Sequence, residues 1–155
     1  MRSGARLGID VGRARIGVAR SDPSAILAVP IETIARSADG DDDIRRILAI
    51  AEEFDVVEVV VGNPLSMSGR ATASTADAVA FARRLAATGA NVRLVDERLS
   101  TVSAQQALRA AGKSSRKQRP IVDQAAAVII LQHAIDAERA SGAAPGRTLT
   151  ADEGP

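Results

Sequence analysis

The chain contains no cysteine. Disulfides, Cys-ligated zinc, iron–sulfur clusters and thiol nucleophiles are therefore excluded. It has one histidine, His133, which excludes a His-rich metal site and a two-His proton relay. Aromatic residues are confined to Phe54 and Phe81, with no Trp and no Tyr. A chain so poor in rings offers no platform for stacking bases, so any grip on nucleic acid has to come from Arg, Lys and the backbone. Charge of one sign is also lacking: 20 basic against 19 acidic residues leave +1, so only local clusters can point to a partner. No apolar run is long enough for a membrane span; the longest lies around Ala125 to Leu131. The opening MRSGARLGIDVG has no stretch of signal-peptide type. The expectation is a cytoplasmic protein with no membrane partner.

What is present is enough for one core. The 155 residues are 46% hydrophobic and 25% charged, the balance of a single globular domain. Residues 1–140 are expected to form that domain. Residues 141–155, SGAAPGRTLTADEGP, carry Gly and Pro without periodicity and are expected to be a disordered tail. Two β-type runs, Arg6 to Val11 and Arg15 to Arg20, flank the turn Gly12-Arg13-Ala14 and predict a hairpin. Leu27 to Ile34 predicts a third strand, placed at a sheet edge by Pro30. A helix is predicted from about Asp41 to Phe54, with acidic residues crowding its start. The β-branched run Val56 to Val61 predicts a buried strand. The loop GNPLSMSG follows, then a helix from about Ala71 to Ala87 that stops at Gly89. Asn91 to Val95 predicts a fifth strand. Ser100 or Thr101 can cap a short helix to about Ala111, and Pro120 suits the first position of a last helix through Ala140. The order β-β-β-α-β-α-β-α-α predicts an α/β fold: a mixed five-stranded sheet with helices on both faces.

Three acidic positions draw attention. Asp10 ends the first strand among apolar neighbours, where a carboxylate is costly unless paired or bound to a cation. A turn-forming Asp would also fit there. Asp96-Glu97 ends the fifth strand, and ligands gather beyond the carboxyl ends of parallel strands; a solvated loop is the plainer reading. Asp123 falls in the first turn of the last helix, where the dipole alone favours it. Together the three can reach one end of the sheet. Converging carboxylates repel unless cations neutralise them, and oxygen ligation of Mg2+ or Mn2+ is the available metal chemistry. Paired metals in such clusters lie about 4 Å apart and serve phosphodiester hydrolysis. From Arg98 to Arg119 there are six basic residues (Arg98, Arg109, Lys113, Arg116, Lys117 and Arg119) and no acidic one. That stretch can hold a phosphate backbone. Arg13 and Arg15 in the first hairpin are weaker candidates for the same task. Dinucleotide, P-loop and nucleophile-elbow patterns are absent. His133, among apolar residues of the last helix, reads as structural or surface, and Met67 as a loop contact.

The blocks LGIDVGRARIGVARSDP, VVVGNPLSMSG, VDERLST and VDQAAAVIILQ resemble, in order, the four signature blocks of the YqgF/RuvX family. The resemblance covers about Leu7 to Asp136. It implies a ribonuclease-H-like fold with sheet order 3-2-1-4-5 and a divalent-metal nuclease whose acidic triad is Asp10, Glu97 and Asp123. Strand alternation sends Asp96 and Glu97 to opposite faces; spacing does not choose between them, and the family pattern assigns Glu97. The family is described both as a nuclease maturing the 5′ end of 16S ribosomal RNA precursor and as a Holliday-junction resolvase. The implied partners are structured RNA, four-way DNA junctions, a ribosomal precursor particle and, for resolution, a second copy of the chain. The family loop often reads GLPLNMDG, whereas this chain has Asn63 for an apolar residue and Ser68 for a carboxylate. That departure bears on substrate contacts, with which Asn63 is counted. A non-catalytic nucleic-acid-binding factor is the rival reading. A nucleotide-binding module of the actin type is another, although it needs two such domains.

Overall fold

A computed structural model describes residues 2–64, 72–96 and 119–149 of the chain, with side chains in the last segment from Asp123 onward. Three strands come first: β1 (Ala5–Val11), β2 (Arg15–Ser21) and β3 (Ala28–Ala35). They are followed by α1 (Asp42–Glu53), β4 (Val56–Asn63), α2 (Ala73–Ala87) and β5 (Val92–Asp96). A long helix α3 (Arg119–Ser141) and a short strand β6 (Arg147–Leu149) complete the described elements. The expected short helix from Ser100 or Thr101 to Ala111 lies outside the described residues.

The sheet order is β3-β2-β1-β4-β5-β6. The first five strands stand in the expected order, and Pro30 is on an edge strand as predicted. β1–β2 and β2–β3 pair antiparallel, whereas β1–β4 and β4–β5 pair parallel. Strands β1, β4 and β5 therefore end at the same edge, at Val11, Asn63 and Asp96.

The sixth strand corrects the expectation of a five-stranded sheet followed by a disordered tail. Arg147–Leu149 pairs antiparallel with β5, matching Val92 with Leu149. Leu149 is buried in the same core as Val92 and Leu94. Gly146 permits the approach: its φ is +72°, and a β-carbon there would lie 1.9 Å from the Leu94 carbonyl oxygen. Composition alone reads this Gly/Pro-rich stretch as tail because its one apolar anchor carries no periodicity.

Strand alternation divides the core into two layers. Leu7 and Ile9, Ile16 and Val18, Val59 and Val61, and Val92 and Leu94 pack with α1 and α2 residues such as Ile47, Phe81 and Leu85. The opposite face packs against α3 through Ala19, Val60 and Val95 with Ala127, Ile130, Leu131 and Ala134. Small side chains let α3 lie close to the sheet: a β-carbon on Gly8 would meet Leu131 Cβ at 2.6 Å and the Ala127 carbonyl at 2.7 Å.

The start of α2 is tied to the end of β4. Thr72 and Thr75 form a capping box, and the Thr75 hydroxyl donates to the Pro64 carbonyl at 2.7 Å. This cap explains why the helix begins at Ala73 rather than Ala71. At the opposite end of the sheet three arginines share two buried carboxylates. Arg2 forks onto Glu58 at 3.1 and 3.0 Å and donates to Glu138 at 2.6 Å, while buried Arg6 reaches Glu138 at 3.3 Å and Arg93 reaches Glu58 at 3.2 Å.

Candidate functional site

Asp10 and Asp123 are related through Gly17. In the β1–β2 register Asp10 is the partner of Gly17, and paired strand residues project from the same face. That face is the one covered by α3. A β-carbon on Gly17 would lie 2.0 Å from the Asp123 carbonyl oxygen, so the backbone of α3 rests directly on β2 at this point. Both carboxylates thus belong to one end of one face of the sheet, the end where β1, β4 and β5 terminate. Asp10 and Asp123 are each half-buried.

Asp123 is the fifth residue of α3, not a first-turn residue as expected, because the helix already begins at Arg119. A helix-dipole effect fades beyond the first turn. What neutralises Asp123 is a side chain: Arg15 Nε donates to its Oδ2 at 2.9 Å. Arg15, expected among the phosphate contacts, is therefore engaged with a candidate metal ligand.

The remaining candidates separate by face. Alternation sets Asp96 with Val92 and Leu94, on the α1/α2 side and away from Asp10. Asn63 follows Val59 and Val61 on that same side; its Oδ1 is buried and has no hydrogen-bond partner among the described residues. Arg13 is exposed at the tip of the β1–β2 turn. Glu97, Arg98, Lys113, Arg116 and Lys117 lie outside the described residues, as do Met67 and Ser68; Arg119 opens α3, its side chain likewise undescribed. His133 lies on the exposed side of α3.

The β1–β2 turn is held by residues that sequence reasoning passed over. Gly12 N–H donates to the Arg15 carbonyl at 2.8 Å, and Arg36 N–H donates to the Ala14 carbonyl at 2.9 Å. The Arg36 guanidinium donates to the Gly12 carbonyl at 2.8 Å and forks onto both Asp77 oxygens at 2.9 and 3.0 Å. It holds the Asp77 carboxyl below the usual carboxylate range against the opposing effect of partial burial, with a smaller contribution from the charge of Arg13. No local pattern marks Arg36, because its side-chain partners come from the β1–β2 turn and α2. Gly17 did carry a signal: a glycine inside a strand marks a close backbone approach.

The donors fit a hard divalent cation. Asp10 and Asp123 offer only oxygen, the ligand type that Mg2+ and Mn2+ take. Among the described residues no group of three or more His, Cys, Asp or Glu is assembled that could hold a metal. The two carboxylates supply part of such a set, and the third candidate, Glu97, is not among those residues.

A mixed sheet of this order, with helices on both faces, defines an α/β protein of the ribonuclease-H-like class. Solved structures share the fold. The chain superposes on one titled "T. thermophilus RuvC in complex with Holliday junction substrate" with a TM-score of 0.57 at 20% identity, covering 92% of this chain and 99% of that one. The family is shown by sequence: the model for RuvX, described as Holliday junction resolvase, matches residues 4–137, and the chain belongs to that family. A Clavibacter sepedonicus protein named "Putative pre-16S rRNA nuclease" is 66% identical over 147 residues, which cover 94% of this chain and 91% of the relative. A relative of the same name from Leifsonia xyli subsp. xyli is 61% identical over 156 residues, with both chains covered completely. The chain is thus a nuclease, a hydrolase acting on nucleic acid. No helix among its described residues is long and apolar enough to cross a membrane.

Proposed function

We propose that the chain is a divalent-metal nuclease that acts in the cytoplasm on the 5′ end of 16S ribosomal RNA precursor. Asp10, Glu97 and Asp123 are its metal ligands. The observation that carries this reading is the seating of Asp123 on Gly17, the register partner of Asp10, which brings two carboxylates from distant parts of the chain to one sheet end. The face of Asp96 supports Glu97 as the third ligand, since alternation turns Asp96 away from Asp10. Asp10, Glu97 and Asp123 would hold a divalent ion, which when bound would supply Lewis-acid chemistry for phosphodiester hydrolysis. The protein's own part is to hold and aim. The Gly17 contact fixes the Asp123 backbone, and the Arg36 clamp holds the turn that carries Arg13. Arg13, Arg15, Asn63, Arg98, Lys113, Arg116, Lys117 and Arg119 are the proposed contacts to the sugar–phosphate chain and neighbouring groups. The names of the relatives support the ribosomal substrate, and a precursor particle is the corresponding partner.

The description of the family model favours a second reading, in which the chain resolves four-way DNA junctions as a two-fold dimer. One experiment separates the two. Wild type and Asp10→Asn are incubated in Mg2+ or Mn2+ with a 5′-extended 16S precursor and a four-way junction. Cleavage of the RNA by wild type alone supports the maturation role. Symmetric cutting of the junction alone supports resolution. Equal cutting of either substrate by Asp10→Asn overturns the assigned site, and absence of cutting by wild type favours a non-catalytic binding factor.

A further inference from the structure

The Arg15–Asp123 pair is held by a single contact. Arg36 grips Asp77 with two nitrogens on two oxygens, and Arg2 grips Glu58 in the same way. Such forks are strong and geometrically locked. Arg15 instead uses one nitrogen, Nε, on one oxygen of Asp123, and its two terminal nitrogens have no hydrogen bond among the described residues. The pair is also partly open, with side-chain exposures of 33% for Arg15 and 17% for Asp123. Its backbones, by contrast, are held. Arg15 is locked by the Gly12 hydrogen bond and by its register with Ala35, and Asp123 by its seat on Gly17. Only the guanidinium has to move for the pair to open.

We propose that Arg15 is a placeholder cation of the metal site. Its guanidinium neutralises Asp123 when no divalent ion does. A divalent ion reaches Asp123 by displacing the guanidinium, so one positive charge leaves as two arrive. The displaced fork then stands beside the site with its five donors turned to whatever anion the metal gathers, and a phosphodiester matches that geometry. This inference rests on the metal-site reading above and assigns Arg15 a positioning role in it: competition with the metal for Asp123.

The test is calorimetric titration of Mn2+ into the full chain, without nucleic acid, for wild type, Arg15→Gln, Arg15→Lys, Asp10→Asn and Asp123→Asn. Arg15→Gln is expected to bind Mn2+ about 3- to 10-fold more tightly, the scale of a partly exposed ion pair plus the relief of cation–cation repulsion. Arg15→Lys is expected to stay near wild type, because it keeps the competing charge. A gain in affinity is not something a misfolded variant produces. If Mn2+ binding depends on Asp10 and Asp123 while Arg15→Gln binds no more tightly than wild type, the placeholder role is overturned and the metal site stands. If wild type binds no Mn2+, or Asp10→Asn and Asp123→Asn bind it unchanged, the metal-site reading falls and the placeholder with it.

Discussion

The carbonyl oxygen of Asp123 occupies the space where residue 17 would carry a side chain: a β-carbon on Gly17 would lie 2.0 Å from it, with the Asp123 carbonyl carbon at 2.3 Å and the Gln124 nitrogen at 3.0 Å. All three atoms are backbone, so none can swing aside. Gly17→Ala must push the start of α3 off β2. Overpacking of this kind costs about 1–3 kcal/mol, and urea unfolding should show a loss in that range. Because the same shift draws Asp123 away from Asp10, Mn2+ affinity should fall as well. A variant with wild-type stability and wild-type Mn2+ binding would show that the contact does not position the site.

Arg36, the residue just after β3, ties the end of that strand to the Gly12 carbonyl in the β1–β2 turn and to Asp77 on α2. Arg36→Met removes these side-chain donors together with the guanidinium, which lies 5.2 Å from the Phe81 ring centroid. It also leaves buried Asp43 without the Arg36 nitrogen now 3.7 Å away. A loss of about 1.5–3 kcal/mol follows from hydrogen bonds to charged groups. Amide exchange at Gly12 should accelerate more than exchange in the β1–β4 ladder, which hydrogen-exchange measurements can resolve.

Glu138 reports on pH. Hydrogen bonds from the Arg2 side chain push its carboxyl from 4.5 down to about 2, outweighing burial, with further help from the Arg2 backbone N–H. A depressed folded-state value stabilises the protein above the unfolded value and loses that contribution as pH falls toward the folded one. The stability lead of wild type over Glu138→Gln should therefore be full at pH 6 and shrink progressively below pH 4.5 toward about 2. Urea midpoints at pH 6, 4 and 3 would test it; a lead that grows on acidification would refute the pairing.

Leu149 anchors β6 in the α1/α2 core although it stands only six residues from the chain end. Leu149→Ala should cost about 2 kcal/mol, the low end for a buried leucine because the strand lies at the sheet edge. Removal of residues 145–155 should cost at least as much. A truncated chain that melts with the full-length one would show β6 to be dispensable.

Much of the fold was legible from local pattern. The Gly-Arg-Ala turn between two β-type runs marked the β1–β2 hairpin, Pro30 marked an edge, and the β-branched run at Val56 to Val61 marked a buried strand. The positions of Asp10 at a strand end and Asp123 at a helix start drew attention to both, and the resemblance carried by the four motif blocks supplied the order of the first five strands. Boundaries moved where a side chain decided them, as at α2, where the Thr72–Thr75 box sets the start.

The amino-acid sequence by itself determined the type and order of these elements and the chemistry open to the site. Periodicity and turn residues act over a few positions, and composition excludes thiolate and multi-histidine metal sites. Tertiary structure alone decided which groups meet. It set Asp123 on Gly17, turned Asp96 to the face opposite Asp10, paired Arg15 with Asp123 and Arg36 with Gly12 and Asp77, and added β6 to the sheet. Each of these relationships depends on strand register or on helix seating between segments far apart in the chain. A one-residue change of register would reverse the face of every side chain in a strand, and only the packed core, with α3 lying against the glycines of β1 and β2, selects one register.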